Sequence, residues 1–246
     1  QHSYDATAVG LDYDKIMKEQ GYGQDSKKPG EASFLFKDPK EKLCSIALIV
    51  IRTICRLACG LGAPCADLVD FGGVAVLQAM ANVYYNHVKD NKNKHQQVEI
   101  IRKDIALAFC GMGYSGDIRR IVREGGIACL IESSLSNDHQ TQELASIAFH
   151  NLTTNESNHT MLVNEGVAEA LIQLGRRART VTTLRYVASC LCSFSMGENV
   201  RELMGKTKCA KSLSTLYTLL KTMSTDEVTP RYIALALSNL SRVPRA

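Results

Sequence analysis

One apolar pattern recurs along this sequence and limits what it can fold into. Residues spaced i, i+3, i+4 and i+7 appear as Ile105/Ala108/Phe109/Met112, Ala145/Ala148/Phe149/Leu152, Val187/Cys190/Leu191/Phe194 and Ile233/Ala236/Leu237/Leu240, at offsets of 40, 42 and 46 residues. That spacing puts four side chains on one face of a helix, whereas a strand would alternate. Each of the first three sets is followed, 15 residues on, by the start of another apolar helix, at Ile127, Val167 and Cys209. A self-similar period of this length predicts a stack of helical units that bury their cores against neighbours, an architecture whose business is to present a surface.

The stretch Glu124 to Leu152 shows the unit best. A glycine pair opens an apolar helix carrying Ile127, Leu130, Ile131 and Leu135, Ser136-Asn137-Asp138 interrupts it, and a further helix runs through Ala145 to Leu152. An earlier set, Ile54/Leu57/Ala58/Leu61, precedes Val74 by 13 residues, which predicts the same unit shortened by two around Ala63-Pro64. Proline near the start of a helix is tolerated because its missing N–H would be unpaired there. About five units result, the first without its early helices. The second unit carries about 13 extra residues centred on His87 to Gln97, whose polar composition predicts a mobile loop. The last reads Gly205-Lys-Thr-Lys-Cys209 without a glycine pair, which predicts a looser corner.

Residues 1–42 differ in kind from 43–246. Tyr13 to Glu19 suits a short helix, Gly21 to Gly30 is turn- and disorder-prone, and Phe34-Leu-Phe36 is an isolated apolar clip, so an N-terminal arm lying along or capping the first unit is expected. With 45% hydrophobic residues and no Trp, the core must be built from Ala, Leu, Ile, Val and Cys. The longest apolar run, Ile46 to Ile51, predicts a buried helix and falls far short of the roughly 20 residues that span a bilayer. Membrane contact is therefore expected only through a partner or through lipidation of residues ahead of Gln1. A net charge of +4 does not by itself point to nucleic acid.

Nine cysteines stand singly among apolar residues, which predicts reduced core side chains in a cytoplasmic protein. Cys55, Cys59 and Cys65 form the densest group. Their i, i+4 spacing is what core packing also requires, and no second CxxC or HxxxH completes a zinc tetrahedron, so no metal or other cofactor is expected. Gly111-Met-Gly-Tyr-Ser-Gly116 fits the dinucleotide pattern GxGxxG but follows a helix, not a strand, and is expected to be a helix cap and loop. The triplets at Asn151, Asn155, Asn158 and Asn239 match the glycosylation signal, which the reduced cysteines make irrelevant. His150 and His159 near Glu156 have nothing to orient them as a pair and are expected to be isolated surface histidines, leaving no catalytic residues.

The period of about 40 residues, Phe71-Gly-Gly-Val74, Glu124-Gly-Gly-Ile127 and Asn164-Glu-Gly-Val167 at the opening of second helices, and His150-Asn-Leu-Thr153 and Ser238-Asn-Leu-Ser241 at the close of third helices together resemble the armadillo repeat. The resemblance covers roughly residues 43 to 246. It implies an all-α right-handed solenoid whose third helices line a concave groove for extended protein segments, with no enzymatic activity. In that groove a row just before the last core position is often Asn, and here it reads Gly60, Gly111, Asn151, Ser193 and Asn239. One turn earlier stand Leu107, Ile147, Ser189 and Leu235, where importin-like members carry Trp, so a nuclear-import receptor is not expected. Two turns earlier come Lys103, Glu143, Arg185 and Arg231, a largely basic row that suits acidic partners, as in catenin-like members, or serves equally as a solvated helix start.

A chain of nothing but such repeats also resembles the armadillo-repeats-only proteins of apicomplexan parasites. That implies a scaffold or adaptor on the cytosolic face of an organelle, the rhoptry, held by an acylated N-terminus and joined to a myosin or a signalling enzyme. A structural component of a cilium or cytoskeletal assembly is the alternative.

Overall fold

The computed structural model describes residues 39–59, 65–89, 95–115, 117–206, 214, 217 and 226–242. The chain divides into two units, Gln1–Glu41 and Lys42–Ala246, and the described helices belong almost wholly to the second. The features expected between Tyr13 and Phe36, and those at Gly60, Leu61, Pro64 and Cys209, lie outside the described residues.

Among the described residues there are twelve α-helices and no strand. They are α1 (Pro39–Cys59), α2 (Cys65–Asp70), α3 (Gly73–Lys89), α4 (His95–Ser115), α5 (Ile118–Arg123), α6 (Gly126–Ser134), α7 (His139–Thr153), α8 (His159–Asn164), α9 (Val167–Arg177), α10 (Val181–Met196), α11 (Glu198–Lys206) and α12 (Val228–Leu240). A short helix, a second helix and a long third helix repeat as α2–α3–α4, α5–α6–α7 and α8–α9–α10, with α1 and α12 in the place of third helices. This is an all-α solenoid of armadillo-like units. Third helices follow one another, α4 on α7, α7 on α10 and α10 on α12. Second helices do likewise, α3 on α6 and α6 on α9.

The corner between first and second helices depends on one backbone conformation. Gly72, Gly125 and Gly166 have φ of 81°, 78° and 83°, the left-handed region that a side chain disfavours. Measured from these glycines, Val167 is equivalent to Gly126 and not to Ile127, so the equal 15-residue gaps are broken by one residue. Because a Cβ on Gly166 would meet nothing within 4 Å, Gly166→Ala isolates the conformational cost. Denaturant unfolding is expected to show a loss of about 1–2 kcal/mol.

Third helices start on side-chain caps. Asp138 accepts from the Thr141 N–H at 2.9 Å and Thr180 Oγ1 from the Thr183 N–H at 3.2 Å. The core sets on α4, α7 and α10 are all buried, as their spacing requires. On α12, Ile233, Ala236 and Leu240 are buried and Leu237 is half-buried.

Several expectations change. On α1 the buried set is Ile51/Ile54/Cys55/Ala58, whereas Leu57 is 54% exposed. The helix is apolar on several faces, so two registers satisfied the spacing and only the neighbour decides between them. For the same reason the run Ile46 to Ile51 is not buried throughout, since Ile46 and Ile49 are exposed. Leu135 is the exposed C-cap of α6 and not a core residue. Both ends of the insertion at His87 to Gln97 are helical, since α3 continues to Lys89 and α4 begins at His95, and residues 90–94 between them lie outside the described residues. Gln97 Oε1 accepts from the Tyr84 hydroxyl at 2.9 Å, tying the two together. Gly111 and Gly113 lie inside α4, not in a loop beyond it.

Cys44, Cys55, Cys65, Cys110, Cys129, Cys190 and Cys192 are buried, and none of these seven is in a disulfide. Cys55 Sγ donates to the Asp104 carbonyl at 2.9 Å and Cys65 Sγ to the Ala58 carbonyl at 3.0 Å, so both thiols are spent on backbone. Burial pushes Cys190 up to about 12 and Cys129 up to about 11, which keeps both as unreactive thiols at neutral pH.

Candidate protein-binding face

When the third helices are aligned on Ile51, Ile105, Ala145, Val187 and Ile233, each has a side that meets the preceding third helix and a side that meets the following one. Cys110 Sγ donates forward to the Leu144 carbonyl at 3.3 Å, and Asn151 Nδ2 donates back to the Cys110 carbonyl at 2.8 Å. Asn239 Nδ2 donates back to Ser195 Oγ at 3.1 Å, and the Thr153 hydroxyl reaches forward to Cys190 Sγ at 3.5 Å. At the first seam Arg52 Nε lies 3.5 Å from the buried Asp104 carboxylate.

The asparagine row is therefore a seam row. Asn151 and Asn239 are buried, and their amides are spent on the neighbouring repeat and not held open for a peptide. Gly111, in the same row, serves the seam differently, because a Cβ there would lie 2.4 Å from the Ala58 carbonyl oxygen. Ser193 is half-buried between its neighbours. One turn earlier, Leu107 and Ile147 are core residues, Ile147 being 2% exposed. Small residues favour close approach of adjacent helices, and Ala106, Ser146 and Ala188, one position before this row, are small and fully buried. Only Ser189, half-buried, and Leu235, exposed, remain within reach of a ligand.

The row two residues before the core set stays at the surface, and its charges have partners within the chain. Lys103 Nζ donates to Gln140 Oε1 at 2.6 Å, and Glu143 Oε2 accepts from the Thr180 hydroxyl at 3.5 Å. Arg185 Nη2 lies 3.2 Å from Asp226 Oδ2, and Arg231 Nη2 lies 3.0 Å from Glu227 Oε2. Lys103, Glu143 and Arg185 thus each reach the start of the following third helix. Asp226 is held below the ordinary carboxylate range by the Thr229 hydroxyl and the Val228 N–H, with Arg185 adding to them.

Two surface contributions lay outside the sequence-derived rows. Ile100, Gln140, Thr182 and Val228, five residues before the core set, are all exposed. Tyr186 and His150 form a half-buried pair across the α7–α10 seam, their rings 5.2 Å apart at 50°. Neither histidine is an isolated surface residue. His159 is buried, donates from Nε2 to the Thr153 carbonyl at 2.8 Å and packs edge-on against Phe194.

Burial lowers the His150 pKa below its ordinary value of about 6.5. The unfolded chain then takes up this proton before the folded chain does, so stability is full above about pH 6.5 and falls as pH drops through and below it. Denaturation midpoints across this range should fall more steeply for the wild type than for His150→Gln; parallel curves would contradict this.

Some solved structures are similar to this chain at low identity. An engineered protein determined by crystallography is 14% identical, covers 82% of this chain and 98% of its own length, and has a TM-score of 0.50. A designed armadillo repeat protein is 15% identical, covers 87% and 96%, and has a TM-score of 0.47. No protein-family model and no curated protein matches the sequence.

Proposed function

We propose that the chain is a non-enzymatic scaffold that holds an extended protein segment across its third helices. The observation that carries this reading is a continuous band on α4, α7, α10 and α12, where the rows of Lys103, Glu143, Arg185 and Arg231 and of Ile100, Gln140, Thr182 and Val228 stay at the surface of successive units. The band mixes apolar, polar and charged groups along a line, which suits an extended segment better than a small molecule that needs a concave pocket. Acidic residues of a partner have Arg185 and Arg231 to meet, but each must displace Asp226 or Glu227. The net gain per charge is thus below the roughly 0.2–1 kcal/mol of an exposed ion pair. Tyr186, beside Ser189 and Ser193, is the better anchor, because aromatic side chains dominate binding energy at interfaces.

Selection of unstructured peptides on the wild-type protein, followed by titration of variants, tests this. Tyr186→Ala is expected to weaken the selected peptides by about tenfold or more. Arg185→Ala with Arg231→Ala should weaken them by less than about tenfold, and the difference should shrink as salt rises. Gln173→Arg, on the exposed side of α9, should change nothing. Peptides that respond only to Gln173→Arg would move the site to the second helices.

Tethering of an organelle such as a rhoptry through a myosin or signalling partner, and incorporation into a cilium or cytoskeletal assembly, are narrower forms of this role that lean on the resemblance alone. Among the described residues no helix is long and apolar enough to cross a membrane. In the tethering form a lipid or a partner holds the chain at the cytosolic face, and a single myristoyl chain gives only marginal attachment. Recovery of the native protein entirely in the soluble fraction of lysed cells excludes that form.

A further inference from the structure

Where α9 ends and α10 begins, three arginines run into three threonines, Arg176-Arg177-Ala178-Arg179-Thr180-Val181-Thr182-Thr183. The connection is extended, with ψ of 137° at Ala178 and of 145° at Thr180. Two of the three hydroxyls are spent on the fold. Thr180 Oγ1 accepts from the Thr183 N–H at 3.2 Å and stands 2.8 Å from Thr183 Oγ1, and Thr183 is fully buried. Thr182 is exposed, and its hydroxyl has no hydrogen-bond partner among the described residues. Arg177 is occupied too, donating to the Leu135 and Ser134 carbonyls at 2.9 and 3.0 Å, which pins the end of α9 to the end of α6. Arg176 and Arg179 are exposed and have no ion-pair partner among the described residues.

The aligned third helices set this start apart from the others. The positions equivalent to Thr182 are Ile100, Gln140 and Val228, none of which carries a hydroxyl. Those equivalent to Arg179 are Gln97 before the core set of α4 and Asn137 before that of α7. The repeat itself therefore requires neither an arginine nor a hydroxyl at these places, and packing does not account for the combination. An exposed hydroxyl three residues after an exposed arginine, with further arginines behind it, is the charge pattern that the acidic cleft of an arginine-directed serine/threonine kinase selects. Thr182 lies in the first turn of α10, where N–H groups lack intrahelical acceptors and the helix opens at the lowest cost.

We propose that Thr182 is a phosphorylation site. In the transfer, Thr182 Oγ1 bonds to the γ-phosphorus of ATP held by the kinase, the bond from that phosphorus to the ADP oxygen breaks, and the hydroxyl proton passes to the kinase's carboxylate base. The product carries a charge of about −1.5 to −2 at neutral pH, in a row whose other members are uncharged. Arg185 and Tyr186 stand three and four residues further along α10, on the same side of the helix as Thr182. Arg185 now holds Asp226 through Nε at 3.3 Å and Nη2 at 3.2 Å, and the phosphate competes with that carboxylate for it. The consequence for binding rests on the reading of this band as the peptide site. A phosphate one turn from Tyr186 repels the acidic segments that Arg185 would otherwise meet, so modification switches this part of the band off for acidic partners.

Incubation of the full chain with ATP and protein kinase B, which reads arginines three and five residues before its acceptor, tests the assignment, with the phosphate located by fragment mass spectrometry. One phosphate on Thr182 is expected. Arg179→Ala should slow its incorporation by about tenfold or more, since a charge pair with the kinase is lost. Thr182→Val should abolish it and leave the circular dichroism unchanged, because the position is exposed. No incorporation, phosphate on Thr180 or Thr183 instead, or a rate indifferent to Arg179→Ala overturns the proposal. Acidic peptides selected on the unmodified chain should then bind the phosphorylated chain about tenfold or more weakly. Equal affinity of the two forms overturns the switch. Failure of the binding band itself reads differently, as peptides indifferent to Tyr186→Ala on a chain that still takes phosphate at Thr182.

Discussion

Phe149→Ala is expected to lower the unfolding free energy by about 3–5 kcal/mol, the usual range for deleting a fully enclosed phenylalanine. Its side chain has no exposure and sits on α7, which packs against the third helices α4 and α10 as well as the second helices α6 and α9. In a stack, stability is a sum of unit terms and nearest-neighbour terms, so a cavity in a central unit weakens the unit and both of its seams together. Leu57→Ala is the informative contrast. The apolar spacing alone puts Leu57 in the same kind of core set, but its exposure limits the expected loss to about 0.5 kcal/mol. Chemical denaturation of both variants checks the register of α7 and the corrected register of α1 in one experiment. A loss under about 1 kcal/mol for Phe149→Ala would remove that residue from the core.

The pair also shows what kind of fact a sequence carries. Burial at one face of an amphipathic helix leaves a periodic trace, so the sets on α4, α7 and α10 were legible residue by residue. Helix α1 was legible as a helix but not in register, because Ile46, Ile49, Ile51, Ile54 and Leu57 spread apolar residues round most of it. The two ends of the insertion were misjudged because their Lys, His and Gln suit a loop by polarity, whereas Lys and Gln suit a helix by propensity. The face was harder still. An asparagine aimed at a ligand and one aimed at the preceding repeat have identical local sequence, and only the Cys110 carbonyl 2.8 Å away distinguishes them for Asn151. The partners of Arg185 and Lys103 lie 41 and 37 residues on, beyond the reach of any local pattern.

Gly111→Ala should be destabilising although alanine is the better helix former. In an open helix the exchange gains about 1 kcal/mol, since alanine carries less backbone entropy into the unfolded chain. At Gly111 the new Cβ would stand 2.4 Å from the Ala58 carbonyl oxygen and 3.3 Å from Cys65 Sγ. The nearer atom is backbone on the neighbouring third helix, so relief requires α4 to move off α1 and not merely a side chain to rotate. Overpacking of this kind costs about 1–3 kcal/mol, and a clash with backbone belongs at the upper end. The net expectation is a loss of about 2 kcal/mol once the helix gain is subtracted. Gly113→Ala, two residues along the same helix, controls for propensity. Its Cβ would meet Leu152 Cγ at 3.1 Å, a side chain that can give, with the Ala148 carbonyl oxygen at 3.4 Å. It should come out near neutral, so a large difference between the two variants assigns the loss to the α1–α4 seam. Equal effects would mean that α1 does not approach α4 at Ala58, and the corrected register of α1 would have to be given up.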